Sequence, residues 1–287
     1  MLKDIIKLIR PKHWIKNAFV LAPLIFSFQF LILRQVVSAI NAFFCFSFAA
    51  SSVYILNDII DREKDKLHPI KSKRPIAAGR ISARLGFILS LLLAAASLAL
   101  SFMISLRAVG ITLFYLIINL LYSLYLKQLV IVDVFTIALG FVLRVIMGAI
   151  AIQVDISAWI ILATGFLSLF LGFTKRYNEI FMENGADHRA VLGLYSKQSL
   201  LIYITISAVL TIVVYAFYTV DSAIAIHFFS NRLIYSLPIV LFGVFRYIYL
   251  VLQKNVGGDV AEVVTRDKYI IIDIIIWLLS LAWAFRW

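Results

Sequence analysis

The densest chemistry lies in SSVYILNDIIDREKDKLHPIKSKRPIAAGR, residues 51–80. Its apolar start delivers Asn57, Asp58, Asp61 and Asp65, at offsets of 0, 1, 4 and 8. On a continuing helix these side chains share one broad face about two turns long. Three carboxylates on one face repel each other and weaken the helix. A bound cation removes that repulsion, and Mg²⁺ suits oxygen ligands from one or two carboxylates together with phosphates. Lys66, His68, Lys71, Lys73, Arg74 and Arg80 follow directly, and clustered bases suit phosphate. Acids for a metal followed by bases for phosphate describe a metal–diphosphate site at a membrane edge. The plainer alternative is a solvated, charged loop between two membrane helices.

The elements around this stretch belong to a membrane protein. The chain has 287 residues, 63% of them hydrophobic, with mean hydropathy +0.99; a soluble domain is about 45–50% apolar. The expected fold is all-α and polytopic, a single domain over residues 1–287 with nine transmembrane helices. Hydropathy places them near 17–33, 36–57, 84–105, 108–126, 130–152, 157–174, 199–220, 231–252 and 269–285. Residues 1–16 form a short amphipathic segment ended by Pro11, with Trp14 as an interfacial aromatic. The basic N-terminus leads into the first span with no small-residue cleavage site, so that span is expected to be retained. Twenty-one of the 27 Lys and Arg residues fall on the side that carries the N-terminus and the long loops, and four on the other. The positive-inside rule then puts the N-terminus and these loops in the cytoplasm of a cell (inner) membrane. Cys45 is the one cysteine, which excludes a disulfide framework or a Cys-based metal site.

Other motifs lie on the same side. Lys16 and Asn17 enter the first span; the bases there could clamp phosphate or snorkel, but a neutral Asn is a poor anchor. Tyr122 and Lys127 read, on spacing alone, as an aromatic belt and one snorkelling Lys. Arg144 stands well inside the fifth span, where a cation needs a partner or a polar cavity. It is an anion-site candidate, with an ion pair to Asp133 as the structural alternative. Lys175, Arg176 and Tyr177 close the sixth span. Glu179, Glu183 and Asp187 repeat the spacing of four as a weaker second acidic set, followed by Arg189. Gly258-Asp259 suits a helix cap better than catalysis. The four histidines show no metal-site spacing.

Asn57-Asp58-x-x-Asp61-x-x-x-Asp65, at the cytoplasmic end of the second of nine helices, resembles the first aspartate motif of the UbiA superfamily of intramembrane prenyltransferases. The topology is similar over the whole chain. The resemblance implies a ring of nine helices around a central cavity open toward lipid, with Mg²⁺ on the aspartates binding a substrate's diphosphate. Where the superfamily usually carries a second Asp-x-x-x-Asp motif, this chain has Lys175-Arg176-Tyr177-x-Glu179. That stretch resembles the decaprenyl-phosphate phosphoribosyltransferase branch. So do Arg10-Pro11-Lys12-His13-Trp14-x-Lys16-Asn17, the run from His68-Pro69 to Gly79, Tyr122-Ser123-x-x-Leu126-Lys127 and Gly258-Asp259-x-x-Glu262.

The function this implies is Mg-dependent transfer of 5-phosphoribose from phosphoribosyl diphosphate to a polyprenyl phosphate, in cell-envelope precursor synthesis. The catalytic residues would be Asp58 and Asp61, with Asn57, Asp58, Asp61 and Asp65 around the metal. Lys16, Arg74, Lys127, Arg144, Lys175 and Arg176 would offset the phosphates. Asn17, Asn57, Tyr122, Tyr177 and Arg189 would complete substrate binding. An anionic acceptor explains the excess of bases. Two rivals remain at this point: prenyl transfer from a prenyl diphosphate to an aromatic or other small acceptor, and a non-enzymatic transporter or lipid-binding protein. No nucleic-acid partner is expected.

Overall fold

The structure, a computed structural model, describes residues 2–181, 193–221, 230–254 and 260–284, and every element among them is helical. The chain divides into two compact units, Met1–Ile156 and Ser157–Trp287. In the first unit the α-helices are α1 (Leu2–Ile9), α2 (Ala22–Phe26), α3 (Leu33–Ile60), α4 (Arg62–Leu67), α5 (Ala83–Ile104), α6 (Leu106–Leu124) and α7 (Val132–Ile152). The second unit holds α8 (Ala158–Phe181), α9 (Lys197–Val220), α10 (Leu237–Lys254), α11 (Val260–Arg266) and α12 (Lys268–Ala284).

Among the described residues seven helices, not the expected nine, are long and apolar enough to cross a membrane. The last expected span, α12, is described over 17 residues, at the short end of the range for a membrane helix. The first is not one helix. Residues Pro11–Leu21 wind as a 3₁₀ segment, α2 adds five residues, and Gln29–Leu31 is 3₁₀ again. Pro11 and Pro23 lack the N–H that a continuing helix needs, and Phe28 turns left-handed at φ 57°. Broken backbone at membrane depth survives only inside protein, and here Asn17, Val20, Pro23 and Leu24 are buried. The segment lies against α7 so closely that a Cβ on Gly148 would stand 1.9 Å from the Val20 carbonyl oxygen. Only glycine permits that approach.

The long helix α3 organises the first unit. Its 28 residues span about 42 Å, so its end projects beyond an apolar core. Its buried face is rich in small residues: Ala39, Ala42, Cys45, Ser47, Ala49, Ala50, Ser51 and Ser52. Small side chains let membrane helices approach, and hydroxyls then bond across the seam. Ser52 meets Ser90 of α5 at 3.0 Å, and Ser97 donates to the Cys45 carbonyl at 2.8 Å. Ser82 and Ser105 cap the N-termini of α5 and α6 by accepting from Leu85 N and Ala108 N.

In the second unit α8 runs to Phe181, so Lys175, Arg176 and Tyr177 sit within helix rather than in the loop the hydropathy suggested. The Trp159 indole donates to Asp221, and Tyr215 links Ser236 and Trp277 at 2.6 and 2.9 Å.

Candidate active site

The helix carrying the acids does not continue unbroken. α3 ends at Ile60, Asp61 leaves helical geometry (φ −88°, ψ 6°), and α4 restarts at Arg62. The helical hydrogen bonds nevertheless cross the joint: Asp61 N donates to Asn57 O at 2.9 Å and Asp65 N to Asp61 O at 2.8 Å. The acids therefore keep their common direction. Asp58 is 2% exposed and Asp65 is also buried, while Asp61 is half-buried.

Each carboxylate meets a base. Arg74 Nη1 donates to Asp58 Oδ1 at 3.0 Å and to Asp65 Oδ2 at 2.6 Å, so one nitrogen bridges the two. Arg10 Nη2 donates to the same Asp58 oxygen at 2.5 Å. Lys127, from the turn after α6, grips both oxygens of Asp61 at 2.7 and 2.9 Å. Lys127 is thus part of the acid site and not merely a snorkelling anchor. Burial pushes the Asp65 carboxyl above its ordinary range, against the opposing pull of Arg74. Three other bases of the stretch have partners outside the acid cluster. Lys66 pairs with Glu63, Arg80 with Asp4, and His68 Nδ1 accepts from Ile70 N and Lys71 N to fold the loop.

A second polar line lies deeper in the same unit. Asn17, 1% exposed, donates to Ser47 Oγ at 3.0 Å and accepts from Arg144 Nε at 2.7 Å. Arg144, 5% exposed, also donates to the Gly140 carbonyl at 2.7 Å and to the Tyr115 hydroxyl at 3.1 Å. Its guanidinium lies over the rings of Phe46, Tyr115 and Phe141. None of these partners is a carboxylate, so the ion pair with Asp133 does not form. In the second unit Arg176 is buried and holds Glu179 at 2.5 Å, with Lys175 at 4.0 Å from the same carboxylate. That engages the first member of the second acidic set; Glu183, Asp187 and Arg189 lie outside the described residues, as do Gly258 and Asp259. Tyr177 is buried, and Lys16, Asn57 and Tyr122 are half-buried.

Among the described residues no three His, Cys, Asp or Glu side chains converge as a self-sufficient metal site. The donor set still fits Mg²⁺, which takes one or two carboxylates and fills its shell with water and substrate phosphate. Asp58 and Asp65 converge on one guanidinium nitrogen, and Asp58 Oδ2 and Asp65 Oδ1 accept no hydrogen bond from a described residue. Reasoning from sequence left Arg10, Ser47 and Tyr115 out of the site. For Arg10 the signal was its place before Pro11 at the entry to the first span; for the other two no signal stood in the sequence.

The fold and site define an all-helical, multi-pass membrane protein with a cluster of paired acids and bases at the end of a membrane helix. The UbiA prenyltransferase family model matches residues 19–263, and the chain belongs to that family and is a transferase. Decaprenyl-phosphate phosphoribosyltransferase of Mycolicibacterium smegmatis is 30% identical over 97% of this chain and 91% of the relative. The protein of the same name from Corynebacterium glutamicum is 32% identical over 98% and 84%. Among solved structures, a UbiA homolog from Archaeoglobus fulgidus bound to GPP and Mg²⁺ superposes with TM-score 0.72 at 20% identity, covering 98% of both chains.

Proposed function

We propose that this protein transfers 5-phosphoribose from phosphoribosyl diphosphate to a polyprenyl phosphate, with Mg²⁺, at the cytoplasmic face of the cell (inner) membrane. The product would serve as a precursor for cell-envelope polymers. The observation that carries this reading is the meeting of Asp58, Asp61 and Asp65 with Arg10, Arg74 and Lys127. The two relatives named above support the choice of donor and acceptor.

Asp58 and Asp65 would hold the metal, with Asp61 and Asn57 completing the ligand set. When bound, Mg²⁺ supplies charge neutralisation for a departing diphosphate. Arg74 and Lys127 stand beside those acids and would take the phosphate oxygens whose charge grows as the sugar C1–O bond breaks. The lipid phosphate is an anion near neutral pH, so the site needs no general base. It needs cations that offset repulsion among phosphates, and Lys16 would add to them, with Tyr122 as a further substrate contact; Lys175, Arg176, Tyr177 and Arg189 stand as candidate substrate contacts of the second unit. Arg144 and Asn17 would contribute by fixing the broken segment that carries Lys16.

Purified protein given labelled phosphoribosyl diphosphate, polyprenyl phosphate and Mg²⁺ should yield labelled lipid, and chelation should abolish it. Absence of labelled lipid from folded protein, with prenylation of an aromatic acceptor from a prenyl diphosphate instead, would overturn the reading. Turnover unaffected by chelator and by Asp58→Ala would favour a binding or transport role.

A further inference from the structure

Arg10 is held in a backbone conformation that an arginine has little reason to adopt. It lies between α1 and the 3₁₀ segment at φ 57°, ψ 57°. That left-handed region suits glycine or asparagine. The residue that follows is Pro11, whose ring further restricts its predecessor. Strain of this kind persists where the side chain is needed in place. The side chain reaches Asp58 with one nitrogen and lies 5.3 Å over the Tyr54 ring. Of five N–H groups, it commits one among the described residues. It is 18% exposed, against Arg144, which is enclosed and engages all three of its nitrogens.

We propose that Arg10 is a phosphate ligand of the diphosphate donor, positioned by its strained backbone and shared with Asp58. A metal–diphosphate brings a cation that competes with Arg10 for Asp58 and an anion that replaces Asp58 for Arg10. The planar fork, largely uncommitted, matches phosphate oxygens two at a time. This rests on the reading above that the acid cluster binds a metal–diphosphate; it names a residue that the spacing of the acids and bases did not.

The test uses the full-length protein in detergent and three variants: Arg10→Gly, Arg10→Asn and Arg10→Lys. Gly and Asn accept the left-handed backbone and remove the guanidinium. Thermal midpoints should hold or rise in both, because strain is released. Binding of inorganic diphosphate with Mg²⁺, read by calorimetry, should weaken about tenfold or more, the loss of one charge-assisted pair. KM for phosphoribosyl diphosphate should rise in parallel while KM for polyprenyl phosphate stays put. Lys should recover part of the binding. Diphosphate affinity within twofold of wild type in Gly and Asn would overturn the proposal, and so would a drop in midpoint matching the loss of binding, which marks a structural tether. Diphosphate binding is independent of which group is transferred. Failure to form labelled lipid would therefore sink the choice of donor and leave the assignment of Arg10 standing or falling on its own.

Discussion

Two arginine-centred regions of the first unit invite comparison. Around Asp58, guanidinium groups meet carboxylates: Arg10 and Arg74 converge on one acid, and Arg74 reaches a second. Around Arg144, a guanidinium meets an amide, a backbone carbonyl and a phenol. Both are buried or nearly so, yet they suit different work. An ion pair can exchange a partner for an incoming ion of the same sign. A cation held by neutral groups and ring faces has no counter-charge to exchange, and serves to lock what it touches. What Arg144 touches is Asn17, in the broken segment whose backbone needs internal anchoring.

The largest effect should come from the charged region. Asp58→Asn keeps the size and the hydrogen-bonding capacity but removes the charge that a metal requires. Transfer activity should fall by about 100-fold or more, the scale seen when one electrostatic stabiliser is lost from an active site. Titration with Mg²⁺ should show weaker metal dependence than wild type. Retained activity with an unchanged Mg²⁺ response would show that Asp58 is an ion-pair residue only, and that both regions serve to hold the fold.

Arg144→Met should act the other way round. It leaves the Asn17 amide oxygen and the Tyr115 hydroxyl without their donor, while the Gly140 carbonyl keeps the helical hydrogen bond from the backbone of residue 144. Buried groups stranded like this cost about 1–3 kcal/mol each, eased by local repacking, so a net loss of about 2–4 kcal/mol is expected. Thermal unfolding in detergent measures it. KM for the donor in the surviving folded protein should stay near wild type. A raised KM at unchanged stability would make Arg144 a substrate contact and erase the contrast.

Gly148→Ala tests the same neutral region with a smaller lever. The added methyl would stand 1.9 Å from the Val20 oxygen, so the 3₁₀ segment must shift outward. Overpacking of this kind costs about 1–3 kcal/mol. Because the shift carries Asn17 away from Arg144, the loss should be less than additive with Arg144→Met in a double-mutant cycle.

Much of this was legible in the sequence because it depends on local pattern. Apolar runs gave six of the seven long helices to within a few residues, since burial in lipid leaves little choice of residue type, but α8 runs seven residues past the expected end at 174, because its polar last turns carry no hydropathy signal. The acid spacing survived a break at Asp61 that no propensity signalled, because the hydrogen bonds at Asp61 and Asp65 keep helical register. The first expected span is broken rather than one regular helix, for a physical reason. Hydropathy reports that residues 17–33 are apolar, not whether their backbone bonds close internally. Pro23 and the close approach at Gly148 decide that, and Gly148 lies 128 positions downstream of Val20's neighbourhood only in sequence, not in space. Lys127 on Asp61 was illegible on spacing alone, since a contact across 66 residues has no local signature.

The N-terminal helix α1 carries both kinds of attachment in miniature. At one end Asp4 accepts from Arg80 at 2.8 Å; at the other, Ser51 donates to the Ile9 carbonyl at 2.7 Å and accepts from the Trp14 indole at 3.0 Å. The Arg80 hydrogen bond holds the Asp4 carboxyl below its ordinary value of 3.8. A depressed carboxyl stabilises the folded form above its unfolded pKa and loses that contribution as pH falls through the folded value. From pH 5 to 8 the tether should therefore be constant, and it should fade only below about 3.8. Amide hydrogen exchange of α1, corrected for its intrinsic pH dependence, should be slightly faster in Asp4→Asn than in wild type at pH 7, since an exposed, screened pair contributes little. The two should converge as pH falls through the depressed folded-state pKa of Asp4. Ser51→Ala should speed exchange equally above and below that transition, because no charge is involved. Convergence of Ser51→Ala with wild type at low pH would mean that the neutral attachment depends on the charged one, and that α1 is held as a unit.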